Sequence, residues 1–145
     1  RLGVGTAVTA PDGSESRILV ENTWNTAIVD ALSPLPRELV VPKTRYSGFF
    51  RTGLDDALKA MGVDTLIVTG ATTSVCVDST VRDAIFCDYR CVVLADCVAE
   101  PLADSAPRSN HEASLLAFEV AFGWVSESGT LLAALGETAA GTMAA

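Results

Sequence analysis

Histidine, lysine and aromatic residues are scarce in this 145-residue chain, and each shortage narrows what it can do. His111 is the only imidazole, so a Cys–His pair would have to use it. Cys76, Cys87, Cys91 and Cys97 do not form the two CxxC arms of a zinc site, and no metal is expected. No cofactor is expected either, since the chain has neither a GKS or GKT phosphate loop nor GxGxxG. Lysine occurs only at Lys43 and Lys59, beside eight arginines. A net charge of −8 has the wrong sign for nucleic acid or an anionic membrane as partner. No apolar run reaches the ~18–20 residues that span a bilayer. No charged-then-apolar leader follows Arg1, so a cytoplasmic protein with reduced thiols is expected. A first residue of Arg1 rather than Met suggests a fragment or processed chain whose true start is missing.

Hydrophobic residues make up 49% of the chain, enough for one folded domain over 1–145. Residues 1–17 mix Gly, Thr, Pro, Asp and Ser as a loop does, and 18–20 suit a short extended piece. Trp24, Ile28 and Leu32 recur at helical spacing up to Ser33-Pro34. A short apolar strand follows over 38–43 (ELVVPK), then an aromatic-bearing loop over 46–51. Thr52 caps a helix in which Leu54, Ala57, Leu58 and Met61 share a face, and Gly62 ends it. The pattern then predicts a buried strand over 65–69, a helix over 76–87 and a buried strand over 91–95 (CVVLA). Ser109 and Glu112 form a capping-box pattern for a helix to about Phe122 that is apolar almost all round. Trp124-Val125 reads as an edge strand, 130–135 as a short helix and 137–145 as a frayed tail. Strands and helices in alternation, with continuously apolar strands, predict an α/β fold with a parallel sheet. Ligands in such folds gather beyond the carboxyl ends of the strands, where Lys43, residues 70–76 and Asp96 all fall.

The stretch 64–83, DTLIVTGATTSVCVDSTVRD, carries the chemistry. Cys76 falls where turn becomes helix, and the N–H groups and partial positive charge of a helix start stabilise a thiolate. The same N–H groups suit the oxyanion of a thiol-addition intermediate. The competing reading is a small buried hydrophobe, which fits Cys87, Cys91 and Cys97 better. Lys43 stands behind Pro42 at the end of the apolar strand, whereas Lys59 lies on an amphipathic helix as a solvated charge would. An ammonium in the crevice would favour the thiolate. Alternatively, the Lys43 stem lies on the sheet end with its head in water. His111, in a first helical turn, reads as structural before it reads as a base, and Asp96 as a turn cap.

The run KTRYSGFFRTGLDDALKAMGVDTLIVTGATTSVCVDSTVRDA, over 43–84, resembles the core of the isochorismatase-like cysteine hydrolases. Their pattern is K…(Y/F)S.F..T.L, then TG..T..CV with the cysteine 33 positions after the lysine, as in Lys43 and Cys76 here. TWNTAIVDALSPLP, KTRYSGFF, CVDSTVRDA and FGWVSES are most similar to the ureidoacrylate amidohydrolase branch. The resemblance implies a three-layer (α/β/α) Rossmann-like fold of that type lacking its first strand, and a homo-oligomer. It implies a Cys-Lys-Asp triad with Cys76 as nucleophile and Lys43 as the triad lysine. Tyr46 would contact the substrate, a small amide or ureido compound. A cis peptide would fall at Ala71–Thr72, aiming the N–H groups of Thr72 and Cys76 at the oxyanion. The catalytic Asp and any metal ligands would precede Arg1, so the chain alone is expected to be nearly inactive. Biuret or N-carbamoylsarcosine-type amidase activity is one alternative. A non-catalytic assembly module, which the missing Asp and the apolar 110–122 helix favour, is the other.

Overall fold

Two compact units divide the chain, Arg1–Val40 and Val41–Ala145. The structure, a computed structural model, describes residues 3–102 and 107–143. In the first unit, β1 (Ala7–Thr9) and β2 (Glu15–Arg17) pair antiparallel with Ala7 opposite Arg17. The segment that composition assigns to a loop is thus a hairpin. Its turn carries Pro11-Asp12-Gly13, where Gly13 has φ +84° and Asp12 Oδ1 accepts the Ser14 N–H at 2.9 Å. Three-residue strands are too short to show alternation, so only the turn marks them in the sequence.

Residues 18–20 are not extended, because Leu19 has φ +54°. The helix expected from Trp24 to Leu32 is instead two 3₁₀ turns, Trp24–Thr26 and Asp30–Leu32. Local polar groups defeat it. Thr23 and Thr26 hydroxyls both donate to Val20 O, at 2.7 and 3.0 Å, and Asn25 Oδ1 accepts the Leu19 N–H at 2.8 Å. Residues 38–43 form no strand. Leu39 and Val40 are exposed, and Pro42 has no N–H to give a ladder.

The second unit begins with α1 (Leu54–Ala60), whose N-cap is Gly53 rather than the expected Thr52; Thr52 Oγ1 accepts the Leu54 N–H from one residue further out, and Gly62, at φ +69°, closes the helix. β3 (Thr65–Ala71) leads into a π-helical turn, Thr73–Val77, that continues as α2 (Asp78–Phe86). β4 (Arg90–Ala99) follows, and then α3 (Asn110–Ala117), whose cap Ser109 Oγ accepts the Glu112 N–H at 3.1 Å. A second π-helical turn, Phe118–Phe122, precedes β5 (Trp124–Ser126) and α4 (Ser128–Met143).

α4 overrides the frayed-tail expectation as far as Met143, while 144–145 lie outside the described residues. Alanine has the highest helix propensity, and the glycines of this helix, Gly129, Gly136 and Gly141, cost at most ~1 kcal/mol each. Among the described residues no helix is long and apolar enough to cross a membrane.

The sheet is parallel in the order β3-β4-β5, so the fold is mixed α/β with its most apolar strand in the middle. β4 buries Cys91, Val93, Leu94 and Val98. β3 is less covered than its composition suggests: Leu66 and Val68 pack on the core, and Ile67 between them is exposed. Val77, Val81 and Ala84 close the core from the π turn and α2, and Phe118 from the second π turn. The 110–122 segment is not buried all round, since Leu116 and Val120 face solvent.

Gly123 joins that second π turn to β5 under close constraint. A Cβ there would lie 2.3 Å from the Cys91 carbonyl oxygen, which is backbone in the central strand. Gly123→Ala is therefore expected to lower stability by about 1–3 kcal/mol in urea unfolding. Gly129→Ala, where a Cβ meets nothing within 4 Å, is the control and should not lower the midpoint, since alanine favours the helix it lies in.

Candidate active site

The parallel register brings the ends of β3 and β4 together, with Gly70 opposite Val98 and Ala71 opposite Ala99 across a bulge after Val68. Gly70, the next-to-last residue of β3, has φ +115°, a backbone conformation L side chains rarely adopt. The Ala71–Thr72 peptide is cis. The Thr72 carbonyl then accepts the N–H groups of both Val75 and Val77 at 3.1 Å, which winds the first turn as a π turn. Cys76 is the fourth residue of that turn and half-buried. It therefore lies in the first turn of a continuous helical run from Thr73 to Phe86.

Lys43 reaches this sulfur from a loop. With no strand to end, it is held by its own neighbours: Nζ donates to Arg45 O at 3.0 Å and to Tyr46 O at 3.1 Å. The third donor direction meets Cys76 Sγ at 3.6 Å. All three ammonium hydrogens thus have acceptors. Among the described residues of this unit, no carboxylate pairs with Lys43. The loop is docked on the helix through Thr80, whose hydroxyl donates to Cys76 O at 2.7 Å and accepts the Gly48 N–H at 3.0 Å.

The other sequence candidates separate. Tyr46 is exposed, and its contact with the site is through its backbone carbonyl. Asp96 leaves the crevice and caps α4, accepting the N–H of Ser128 at 2.8 Å and its hydroxyl as well. Those Ser128 hydrogen bonds hold the Asp96 carboxyl below its usual range. His111 touches the turn that carries Cys76 but not Cys76 itself: Nδ1 shares a 3.0 Å hydrogen bond with Thr73 Oγ1, on a residue with no exposed surface.

Glu100, just past β4, escaped the sequence reading. Its Oε2 accepts the Ser74 N–H at 2.7 Å and its Oε1 the Leu102 N–H at 3.1 Å. Burial works against its charge, but the bonds from Ser74 and Leu102 and the nearby His111 outweigh it, holding the carboxyl below its usual range. Glu100 and His111 together clamp Thr73 and Ser74, the first residues of the turn that presents Cys76. The only sequence signal for Glu100 was its position after a strand that turned out to neighbour β3.

A family model described as the isochorismatase domain matches residues 7–130. The ureidoacrylate amidohydrolase RutB of Methylobacterium radiotolerans is 44% identical over 123 residues, covering 85% of this chain and 46% of that protein. RutB of Methylorubrum extorquens is 45% identical over 119 residues, covering 82% and 46%. The chain thus spans about half the length of the curated relatives it matches. Among solved structures, an isochorismatase-like hydrolase from Alkaliphilus metalliredigens aligns with a TM-score of 0.73 and 34% identity over 80% of this chain and 60% of that one. N-carbamoylsarcosine amidase from Thermoplasma acidophilum aligns at 0.63 and 30% identity over 72% and 56%.

Proposed function

The chain belongs to the isochorismatase domain family, and from that premise we propose that the protein is a cysteine-dependent amidohydrolase. It cleaves a C–N bond of a small ureido, carbamoyl or amide substrate, a ureidoacrylate-like compound first among them. The observation that carries the reading is the 3.6 Å contact between Lys43 Nζ and Cys76 Sγ across 33 positions of chain. The 44–45% identity to proteins named ureidoacrylate amidohydrolase supports the substrate class.

In the proposed reaction a carboxylate takes the thiol proton, and Lys43 holds the charge of the thiolate beside it. The sulfur attacks the carbonyl carbon and a C–S bond forms. The oxyanion is held by the backbone N–H groups of Thr72 and Cys76, at the start of the helical run. Collapse of this intermediate breaks the C–N bond, and the nitrogen leaves with the proton as ammonia or amine. Water then attacks the thioester or thiocarbamate and releases the thiol. Tyr46 lines the substrate side. By this reading the carboxylate is supplied from outside the described surroundings of Lys43, and the 145-residue chain alone turns over slowly.

The test is a panel of ureidoacrylate, biuret, N-carbamoylsarcosine and simple amides offered to the full-length protein. Ammonia release is followed, and intact-mass spectrometry follows quenched samples. The expected result is turnover of a ureido substrate with a transient mass increase on the peptide carrying Cys76. Turnover without any adduct on that peptide, or ordinary enzyme rates from a chain with Cys76 alkylated, would sink the proposal.

A further inference from the structure

Lys43 and Cys76 belong to separate segments, and neither the loop nor the helix by itself sets the distance between them. The ammonium is referenced to the loop through Arg45 O and Tyr46 O. The sulfur is referenced to the helical run that contains it. Besides the Lys43–Cys76 contact itself, the hydrogen bonds that join the two frames among the described residues run through one hydroxyl. Thr80 stands one helical turn beyond Cys76, donates to Cys76 O at 2.7 Å and accepts the Gly48 N–H at 3.0 Å. A hydroxyl has one hydrogen and two lone pairs, so both bonds are made at once.

The loop side of this joint is stiff. The Gly48 backbone is held on both sides, because its carbonyl accepts the Thr52 hydroxyl at 2.5 Å while its N–H donates to Thr80. Ser47 is buried, and its Oγ accepts the Phe49 N–H at 3.0 Å. A Cβ on Gly48 would fall 3.3 Å from Leu54 Cδ2 and 3.5 Å from Thr80 Cγ2, so there is little free space between Gly48 and these two side chains.

We propose that Thr80 is a positioning residue for the reaction. Its hydroxyl fastens the Lys43 loop to the nucleophile helix and so sets the Nζ–Sγ distance. This rests on the cysteine-hydrolase reading above. A displacement of ~1 Å in a catalytic constellation costs on the order of 100-fold in rate. The loss of this joint therefore acts on kcat more than on substrate binding.

Thr80→Val keeps the shape and the methyl and removes the hydroxyl, Thr80→Ser keeps the hydroxyl and removes the methyl, and Thr80→Ala is a second hydroxyl-free chain that makes no packing demand. In the full-length protein, Thr80→Val and Thr80→Ala should lower kcat by about 10–100-fold with KM nearly unchanged. Thr80→Ser should stay within about 3-fold of the parent, since it keeps both bonds. A second readout needs no turnover. The rate of iodoacetamide alkylation at Cys76 relative to the exposed Cys97, read by peptide mass, should fall in the two hydroxyl-free variants and hold in Thr80→Ser.

Parent-like kcat and parent-like alkylation ratio in Thr80→Val and Thr80→Ala would overturn the assignment. So would a Thr80→Ser as impaired as they are, which would make the methyl the working group. An active Cys76→Ala control would instead count against the cysteine-hydrolase reading itself, and the two failures are thereby told apart.

Discussion

Cys76→Ala in the full-length protein is expected to lower kcat roughly 10,000-fold or more, as removal of the nucleophile does in enzymes that work through a covalent intermediate. None of the other thiols can stand in. Cys91 is fully buried, and burial pushes its thiol up, away from the reactive form. Burial does the same to Cys87. Cys97 is exposed on β4, and among the described residues it is Cys76 whose sulfur has an ammonium in contact. Cys76→Ser should be nearly as inactive, because a serine hydroxyl beside Lys43 ionises far less readily than a thiol. The fold should not suffer: the side chain is half-buried, and the turn is held by Thr72 O, Glu100 and Thr80 rather than by the sulfur. Stopped assays with thermal unfolding check both halves. An alanine variant that keeps a tenth of the parent rate would remove Cys76 from the chemistry.

Lys43→Met is expected to reduce kcat by about 100- to 10,000-fold, the range seen when an enzyme loses one electrostatic or proton-transfer group. Methionine keeps the length of the stem and deletes the charge. The Arg45 and Tyr46 carbonyls lose their donor, but this loop surface is exposed and water replaces it, so the unfolding midpoint should hardly move. Lys43→Arg should rescue little. A guanidinium is a planar fork, and the ammonium here makes three diverging bonds to two carbonyls and a sulfur. Cys76 alkylation near neutral pH should fall toward the rate of Cys97 in both variants. Unchanged alkylation in Lys43→Met would mean that the ammonium does not act on the thiol.

The legible parts of the fold are those whose signal is short in range. Leu54, Ala57, Leu58 and Met61 announced α1, the CVVLA run announced β4, and Ser109 with Glu112 announced the start of α3. Readings failed where a polar side chain or a missing partner strand decided. Thr23, Asn25 and Thr26 spend their hydrogen-bonding capacity on loop backbone, so an apolar i, i+4, i+8 pattern did not become a helix. ELVVPK has the composition of a strand, but strand formation needs a neighbour, and Pro42 cannot supply a ladder N–H. The crevice expected from three strand ends was partly right. Residues 70–76 are there, Lys43 arrives by a loop, and Asp96 is committed to capping α4.

The sequence by itself determined the family and the turn that carries Cys76, and the resemblance implied the pairing of that cysteine with a lysine 33 positions earlier. These are properties of residue type and spacing, and they survive without coordinates. Only the tertiary structure decided that Nζ lies 3.6 Å from Sγ, that Thr80 bonds the Gly48 loop to the helical run carrying Cys76, and that Glu100 and His111 hold Ser74 and Thr73. Each of these contacts joins side chains 26 to 38 residues from their partners. A bond of that span forms only where the β3–β4 register and the packing of α2 have already brought its ends together, and no local pattern of residues encodes that geometry.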